Sequence, residues 1–515
     1  MLSSSNLEVR GAAADGRQRV CFVIPPSIFL LDERVFMTLG ILRVAAVVEQ
    51  AGYPTDVLDL SGIANYLDVI KTYLSTHDTN TFCLTGTTPQ MPAVGAIART
   101  LREERPGARL ILGGPHLTLV NAAYRMELKE GKVYRAHGAF ERLQQMFDCL
   151  VAGDGEDAIF QALEPDAPAL VDADQPASPL FLTNKRLTEL PMPARHLVDV
   201  DSYRYYIEGE RATSLIAQLG CPFSCGFCGG RKSPSLRRIR MRSHESVIAE
   251  VEHLHRTYGI KGFMFYDDEL NVNRGMVEMM NGLRDLQDRL GVEFRLRGFI
   301  KAELFNDEQA DAMYRAGFRW ILTGFESGSP RILRNINKKA SREDNTRCVE
   351  IARRHNLKVK ALMSIGHPGE SEETTGETRD WLLQVKPDDF DVTIITTYPG
   401  TPYYDEAEPH PELPNVWTYT FAGDRLHAYE LDYMSVADYY KGDPDGGYQA
   451  YVFTDHMSSE ELVRTRDMIE KEVRDTLGIP FNQSRAALQY EHSMGQSGLP
   501  GNVLRSSFKS LTAPA

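Results

Sequence analysis

Three of the chain's seven cysteines fall within eight residues, Cys221-Pro-Phe-Ser-Cys225-Gly-Phe-Cys228, a C-x3-C-x2-C spacing. No other feature restricts the fold as much, because the surrounding backbone must bring three thiols around one centre. A structural zinc site wants four ligands, usually as paired C-x2-4-C units, and no second cysteine or histidine cluster follows here. A 4Fe–4S cluster held by three thiolates leaves one iron open to a substrate or cofactor. Gly220, Gly226, Gly229 and Gly230 surround the thiols and let backbone N–H groups approach an inorganic core closely. Cys21, Cys83, Cys149 and Cys348 are isolated, and the apolar settings of the first two suit small buried hydrophobes. An odd cysteine count argues against a disulfide framework.

From about Arg211 to Tyr398, apolar strand-like runs alternate with amphipathic helical ones, the pattern of parallel β/α units. The runs Ser214–Leu219, Phe263–Leu270, Phe294–Ile300, Trp320–Glu326, Val359–Gly366 and Val392–Thr396 make six strands. Polar groups at the carboxyl ends of such strands are where α/β folds place ligands.

The first 165 residues repeat the alternation, with strands at Arg19–Pro26, Thr55–Leu60, Thr81–Gly86, Arg109–Gly114 and Asp148–Ala152. They predict a doubly wound parallel sheet. Its later strands end in loops carrying Thr87 and Thr88, Gly113, Gly114 and His116, and Gly153, Gly155 and Glu156. Neither a G-x-G-x-x-G nor a P-loop opens its helices, which weakens dinucleotide and ATP readings.

At 515 residues the chain is too long for one ordinary domain. The expected organisation is a flexible N-terminus (1–18), a ligand-binding α/β domain (19–165), a linker rich in Pro, Ala and Asp (166–210), and a second α/β domain (211–400). A small, mainly helical C-terminal region (401–515) follows; it contains an amphipathic helix at Ser458–Leu477 and a polar stretch at Glu491–Gly495. It is expected to cap the second domain.

Lys+Arg 57 against Asp+Glu 71 gives 57 − 71 = −14, a balance that argues against wrapping nucleic acid. No apolar run is long enough for a transmembrane helix and the N-terminus lacks the apolar stretch of a signal peptide. A cytoplasmic location is expected, with peripheral membrane contact left open. Arg231, Lys232, Arg237, Arg238, Arg240 and Arg242 put six positive charges into twelve residues. They read either as a solvated face or as partners of an anionic group.

The segment Gly220–Cys228 resembles the cluster-binding loop of radical S-adenosylmethionine enzymes. Three later strand ends match that superfamily in order. Tyr266-Asp-Asp-Glu269 takes the place of its second-strand motif, implying that Tyr266, Asp268 and Glu269 hold the S-adenosylmethionine amino group; Asp267 and Asp268 replace the usual glycines. Gly324-Phe-Glu-Ser-Gly-Ser329 resembles its G-x-E-S-G-S segment, implying that Glu326 and Ser327 face S-adenosylmethionine. Ile365-Gly-His-Pro-Gly-Glu370 resembles its G-x-P-G-E turn, implying that Gly366 and Pro368 lie near the adenine. The resemblance implies a partial (β/α)6 barrel and a 4Fe–4S cluster on Cys221, Cys225 and Cys228. It also implies an external electron donor such as flavodoxin or ferredoxin.

Placed before such a barrel, the N-terminal sheet resembles the cobalamin-binding domain of the cobalamin-dependent class. The corrinoid would then lie against Thr87, Thr88, Gly113, Gly114, His116, Gly153, Gly155 and Glu156. The D-x-H-x-x-G signature, whose histidine ligates cobalt, is absent, which implies cobalt held without it. The whole resembles a methyltransferase acting on an unactivated carbon of a small molecule. Its length and domain order are similar to lipid-modifying members such as hopanoid methylases. The alternatives are a radical cyclase or dehydratase of the same architecture, and a non-enzymatic corrinoid carrier.

Overall fold

The computed structural model describes residues 17–27, 33–436 and 449–480. The stretch Glu491–Gly495 and residues 1–16 of the expected flexible N-terminus lie outside them.

The N-terminal sheet contains Val20–Ile24, Thr55–Asp59, Thr81–Thr85, Arg109–Gly113 and Cys149–Gly153, all parallel. Helices cover both faces, so the first strand, Val-Cys-Phe-Val-Ile, is buried along its whole length and reads as a continuous apolar run. The strand order is second, first, third, fourth, fifth, sixth. The order reverses beside the first strand, and such switch points open a crevice at the carboxyl ends.

The sixth strand, Leu170–Ala173, comes from the stretch 166–210 expected as a linker. That stretch is packed structure. Its acidic residues are partners rather than a solvated tether: Asp172 and Asp174 each take Arg125 at 2.7 Å, and Asp174 also accepts from Ser233 Oγ at 2.7 Å. Arg195 reaches Glu250 at 2.7 Å with both side chains buried.

The second sheet has the six expected parallel strands, Glu210–Leu215, Gly262–Phe265, Arg295–Phe299, Phe318–Glu326, Lys358–Ile365 and Asp389–Ile394. Each lies beside its predecessor in sequence, and Tyr205–Ile207 adds an antiparallel edge. Sequential parallel strands with helices on one face curl into a half-barrel. Phe263, Phe265 and Leu296 share one buried apolar cluster with Met279, Met280 and Leu283 of the helix Met276–Leu290. The first strand stops at Leu215, short of the expected Leu219; Gln218–Leu219 instead pairs antiparallel with Arg240–Met241.

The C-terminal region corrects an expectation. Beside the helix Ser459–Leu477 it carries an antiparallel sheet of four strands, Glu408–Pro409, Val416–Phe421, Asp424–Tyr429 and Val452–Thr454. Its central hairpin turns at Ala422 and Gly423, both with positive φ, +50° and +91°, the conformation of a two-residue hairpin loop. The helix docks on the last parallel strand, where Val392 N donates to Glu470 at 2.7 Å and closes an open sheet edge. Among the described residues no helix is long and apolar enough to cross a membrane.

Candidate functional site

The cysteine loop is pinned from outside by its carbonyls. Arg237 donates to Pro222 O at 2.7 Å and Phe223 O at 2.9 Å, Asn337 to Ser224 O at 2.9 Å, and Arg231 to Cys225 O at 3.1 Å. The N–H groups of Cys221 and Gly226 reach Leu236 O and Ile336 O at 3.0 and 2.8 Å. Gly220 has φ +87°, and a Cβ there would overlap the Arg238 carbonyl, so only glycine fits. Cys225 is buried, Cys221 half-buried and Cys228 exposed. Among the described residues no group of three or more His, Cys, Asp or Glu side chains is gathered as the ligands of a single ion. In a multi-iron cluster each ligand sulfur binds a different iron. Burial pushes the Cys221 thiol up to about 11, and a coordinated metal reverses this by binding the thiolate. The donor set fits an iron–sulfur cluster.

The neighbouring strand ends gather the other candidates. Asp267 accepts from the N–H groups of Ala217, at 2.9 Å, and Gln218, so this acid anchors the backbone leading into the cysteine loop. Gln218 in turn donates to Glu269 O at 2.6 Å. Glu269 keeps one buried carboxylate oxygen without a hydrogen-bond partner, and burial raises it to about 7 against the pull of Lys338 and Lys301. A buried acid with a spare oxygen suits an ammonium group.

Glu326, at φ +64°, holds Lys338 at 3.1 Å and accepts from Ser364 Oγ at 2.7 Å. Ser364 meets His367 Nε2 at 2.8 Å, and His367 Nδ1 meets the Tyr403 hydroxyl at 3.2 Å. The Tyr403 ring lies against Gly226 of the cysteine loop. A continuous polar chain thus runs from Lys338 back to the loop. Ser327 is turned away from it, buried with its Oγ on Thr378 Oγ1 and Ser329 N, both at 3.0 Å. Gly366 N donates to Glu370 at 3.2 Å and Pro368 O accepts from Asn335 at 2.8 Å, which fixes the turn.

Sequence reasoning missed Lys301 and Lys338. Lys301 Nζ reaches Lys338 O at 2.9 Å and lies 4.5 Å from the Phe223 ring of the loop. A charge ending the apolar run Phe299-Ile300 was the available signal; Lys338, in Asn-Lys-Lys, had none.

A cavity of about 380 Å³ opens between the two sheets. Thr87, Gly113, Gly114, Gly153, Gly155 and Glu156 line its N-terminal wall. Gly220, Tyr266 and Asp268 line the opposite wall. Gly114, φ +95°, closes tightly on Thr85, where a Cβ would overlap the hydroxyl. Thr88 and His116 do not line the cavity. They bond to each other behind its wall, Oγ1 to Nδ1, at 3.0 Å, and burial lowers His116 to about 4. No histidine is among the lining residues. The basic run divides: Arg240 pairs with Asp154 and Arg242 with Glu250, both buried, and the other four remain nearer the surface.

Residues 215–382 match the family described as the radical SAM superfamily. The match lies within the half-barrel. The chain is 28% identical over 399 residues to an uncharacterised methyltransferase of Pyrococcus horikoshii, covering 76% of this chain and 83% of that protein. It is 25% identical over 360 residues to the anaerobic magnesium-protoporphyrin IX monomethyl ester cyclase of Cereibacter sphaeroides, covering 66% of this chain but 55% of the cyclase. In fold it is similar to the radical S-adenosylmethionine methyltransferase TsrM from Kitasatospora setae, solved with cobalamin and a 4Fe–4S cluster bound. The TM-score is 0.60 at 18% identity, over 79% of this chain and 82% of that one.

Proposed function

We propose that this chain is a cobalamin-dependent radical S-adenosylmethionine methyltransferase that methylates an unactivated carbon of a small molecule. One observation carries the reading: a single cavity has the N-terminal switch-point loops on one wall and the cysteine-loop glycine Gly220 with Tyr266 and Asp268 on the other. Two cofactors bound to the two sheets would therefore face each other across one space. The methyltransferase relative and the TsrM fold support it.

When bound, the cluster and S-adenosylmethionine supply a carbon radical and the corrinoid supplies a methyl group. Cys221, Cys225 and Cys228 would hold the cluster, with an acidic redox protein such as flavodoxin or ferredoxin as the electron source. Asp268 and Glu269 would take the ammonium of S-adenosylmethionine, and Lys338, held by Glu326, its carboxylate. Gly366 and Pro368 shape the turn proposed for the adenine. The corrinoid would rest on Gly113, Gly114, Gly153 and Gly155, a wall that no histidine lines. The likeness in length and domain order to hopanoid methylases points to no substrate-binding group on this chain, and Tyr403, Tyr404, Tyr419 and Tyr433 of the C-terminal region are buried.

The test is product mass with the cluster-loaded protein. A gain of one CH₂ with S-adenosylhomocysteine formed supports methyl transfer. Deoxyadenosine without methylation indicates a cyclase-type outcome, the reading favoured by the likeness to the magnesium-protoporphyrin cyclase. Replacing all three cysteines by Ala should abolish iron binding and S-adenosylmethionine cleavage; retention of both would remove the proposal.

A further inference from the structure

The third parallel strand of the half-barrel, Arg295–Phe299, carries a buried charge that no neighbouring group answers. Leu296 belongs to the apolar cluster shared with the helix Met276–Leu290, so the next residue, Arg297, stands on the opposite, inner face of the sheet. Arg297 is 0% exposed, yet its Nε, Nη1 and Nη2 all lack a hydrogen-bond partner. Its neighbours in register are Met264 and Trp320. The guanidinium lies 5.7 Å from the Trp320 ring, which also faces Lys358 Nζ at 5.1 Å. Glu208 is held by Trp320 Nε1 at 2.9 Å and by Lys358 at 2.6 Å. Beyond Met264 in the same row stands Ser214, buried and with its Oγ equally without a partner. The rest of this face is apolar: Met264 and Leu322 share a cluster with Tyr205, and Phe36 and Phe299 pack on it.

A guanidinium sealed among apolar side chains with all its donors unused is costly to fold around. A bound anion supplies the missing acceptors, and the planar fork of an arginine matches a carboxylate or a phosphate through two parallel hydrogen bonds. The inner face meets the shared cavity at Tyr266, which lines that cavity. The Tyr266 ring lies 6.1 Å from Phe299 and 5.2 Å from Phe36. Lys301, beside the cysteine loop, follows two same-face positions after Arg297, roughly 13 Å along an extended chain. We propose that Arg297 recognises an anionic oxygen group of the substrate, a carboxylate or a phosphate, with Ser214 as a second polar contact. The substrate class is then an apolar molecule with one anionic end, that end at Arg297 and the body directed toward the cysteine loop. The inference deepens the methyltransferase reading and rests on it for the claim that the anion belongs to the substrate.

The experiment uses the full cluster-loaded chain with S-adenosylmethionine present and no reductant, and three probes of similar size: benzoate, phenyl phosphate and uncharged benzamide. Binding is followed by titration calorimetry in the wild-type chain, Arg297→Met and Arg297→Lys. The wild-type chain should bind at least one of the two anions, and benzamide at least about tenfold more weakly; the tighter anion identifies the group. Arg297→Met should weaken that anion at least about tenfold. Arg297→Lys, which keeps the charge without the planar fork, should fall between the two. Without any probe, the urea midpoint of Arg297→Met should equal or exceed that of the wild-type chain, because an unpaired buried charge has been removed. Binding of neither anion, equal anion affinity in Arg297→Met, benzamide bound as tightly as the anion, or a lower urea midpoint in Arg297→Met overturns the proposal. S-adenosylmethionine cleavage by the dithionite-reduced wild-type chain is scored separately. Its absence, with Arg297-dependent anion binding intact, would count against the functional reading and leave the anion site standing.

Discussion

Arg240 donates to the Asp154 carboxylate across the boundary between the two parallel sheets, and the two side chains are 5% and 7% exposed. Asp154 also accepts from Leu182 N at 2.9 Å, and the Arg240 guanidinium lies 4.6 Å from the Phe181 ring. Both residues line the shared cavity, so the pair fixes the distance between its two walls.

Breaking that pair from one side should be costly. Arg240→Met leaves Asp154 buried without its counter-ion, a change worth about 3–5 kcal/mol. The urea midpoint should fall accordingly. Arg240→Met/Asp154→Asn should recover part of the loss, because no buried charge is then stranded. A single variant within about 1 kcal/mol of wild type would show that the pair is not structural.

Gly220→Ala tests the loop without touching a thiol. The residue has φ +87° and its Cβ would overlap the Arg238 carbonyl, so the turn into Cys221 must shift. Iron content after reconstitution should drop several-fold while circular dichroism stays native, because the strain is confined to one loop. Full iron incorporation in the variant would contradict this.

His116 sets a pH dependence. Its ordinary value is 6.5 and burial lowers it to about 4. Between these values the unfolded chain takes a proton that the folded chain refuses. Its stabilising contribution is fully present above pH 6.5 and is lost as pH falls toward 4, by about 1.4 kcal/mol per unit. His116→Asn keeps a polar atom for Thr88 but does not titrate. Melting temperatures of variant and wild type, followed from pH 7 to pH 4.5, should converge or cross on acidification. A constant gap would mean that His116 takes up its proton in the fold as readily as in the unfolded chain.

How far the sequence reveals this molecule depends on what each signal encodes. Strands covered on both faces, such as Val20–Ile24, appear as unbroken apolar runs and are legible. Leu170–Ala173 is hidden because its acid serves an ion pair with Arg125 and breaks the apolar pattern. The Val416–Phe421 hairpin escapes because Ala422 adopts positive φ where glycine or asparagine is the usual signal. Motifs fix the backbone but not where a side chain turns. Glu326 meets Lys338, whereas its neighbour Ser327 faces the packed side on Thr378. Thr88 and His116 follow Thr87 and Gly114 in the chain yet lie behind the cavity wall. Lys301 and Lys338 belong to the site through tertiary contacts at 2.9 and 3.1 Å that no local spacing encodes.

The Glu326–Lys338 pair offers the sharpest energetic test. Their side chains are 12% and 7% exposed and 3.1 Å apart, and the Glu326 charge helps hold the Lys338 ammonium well above its ordinary range despite burial. Glu326→Gln preserves an acceptor for Ser364 but leaves Lys338 with a weaker partner. Lys338→Met strands the carboxylate. Each should lower stability by a few kcal/mol, while the double variant should cost less than their sum, with a coupling of about 1–3 kcal/mol. The same variants separate structure from binding. If Lys338 takes the S-adenosylmethionine carboxylate, equilibrium dialysis of cluster-loaded protein should show at least about tenfold weaker binding for Lys338→Met, from the loss of a charge-assisted hydrogen bond. Glu326→Gln keeps the ammonium and should lose less. Additive stabilities would deny the coupling, and equal S-adenosylmethionine affinity in Lys338→Met would take that lysine out of the binding site.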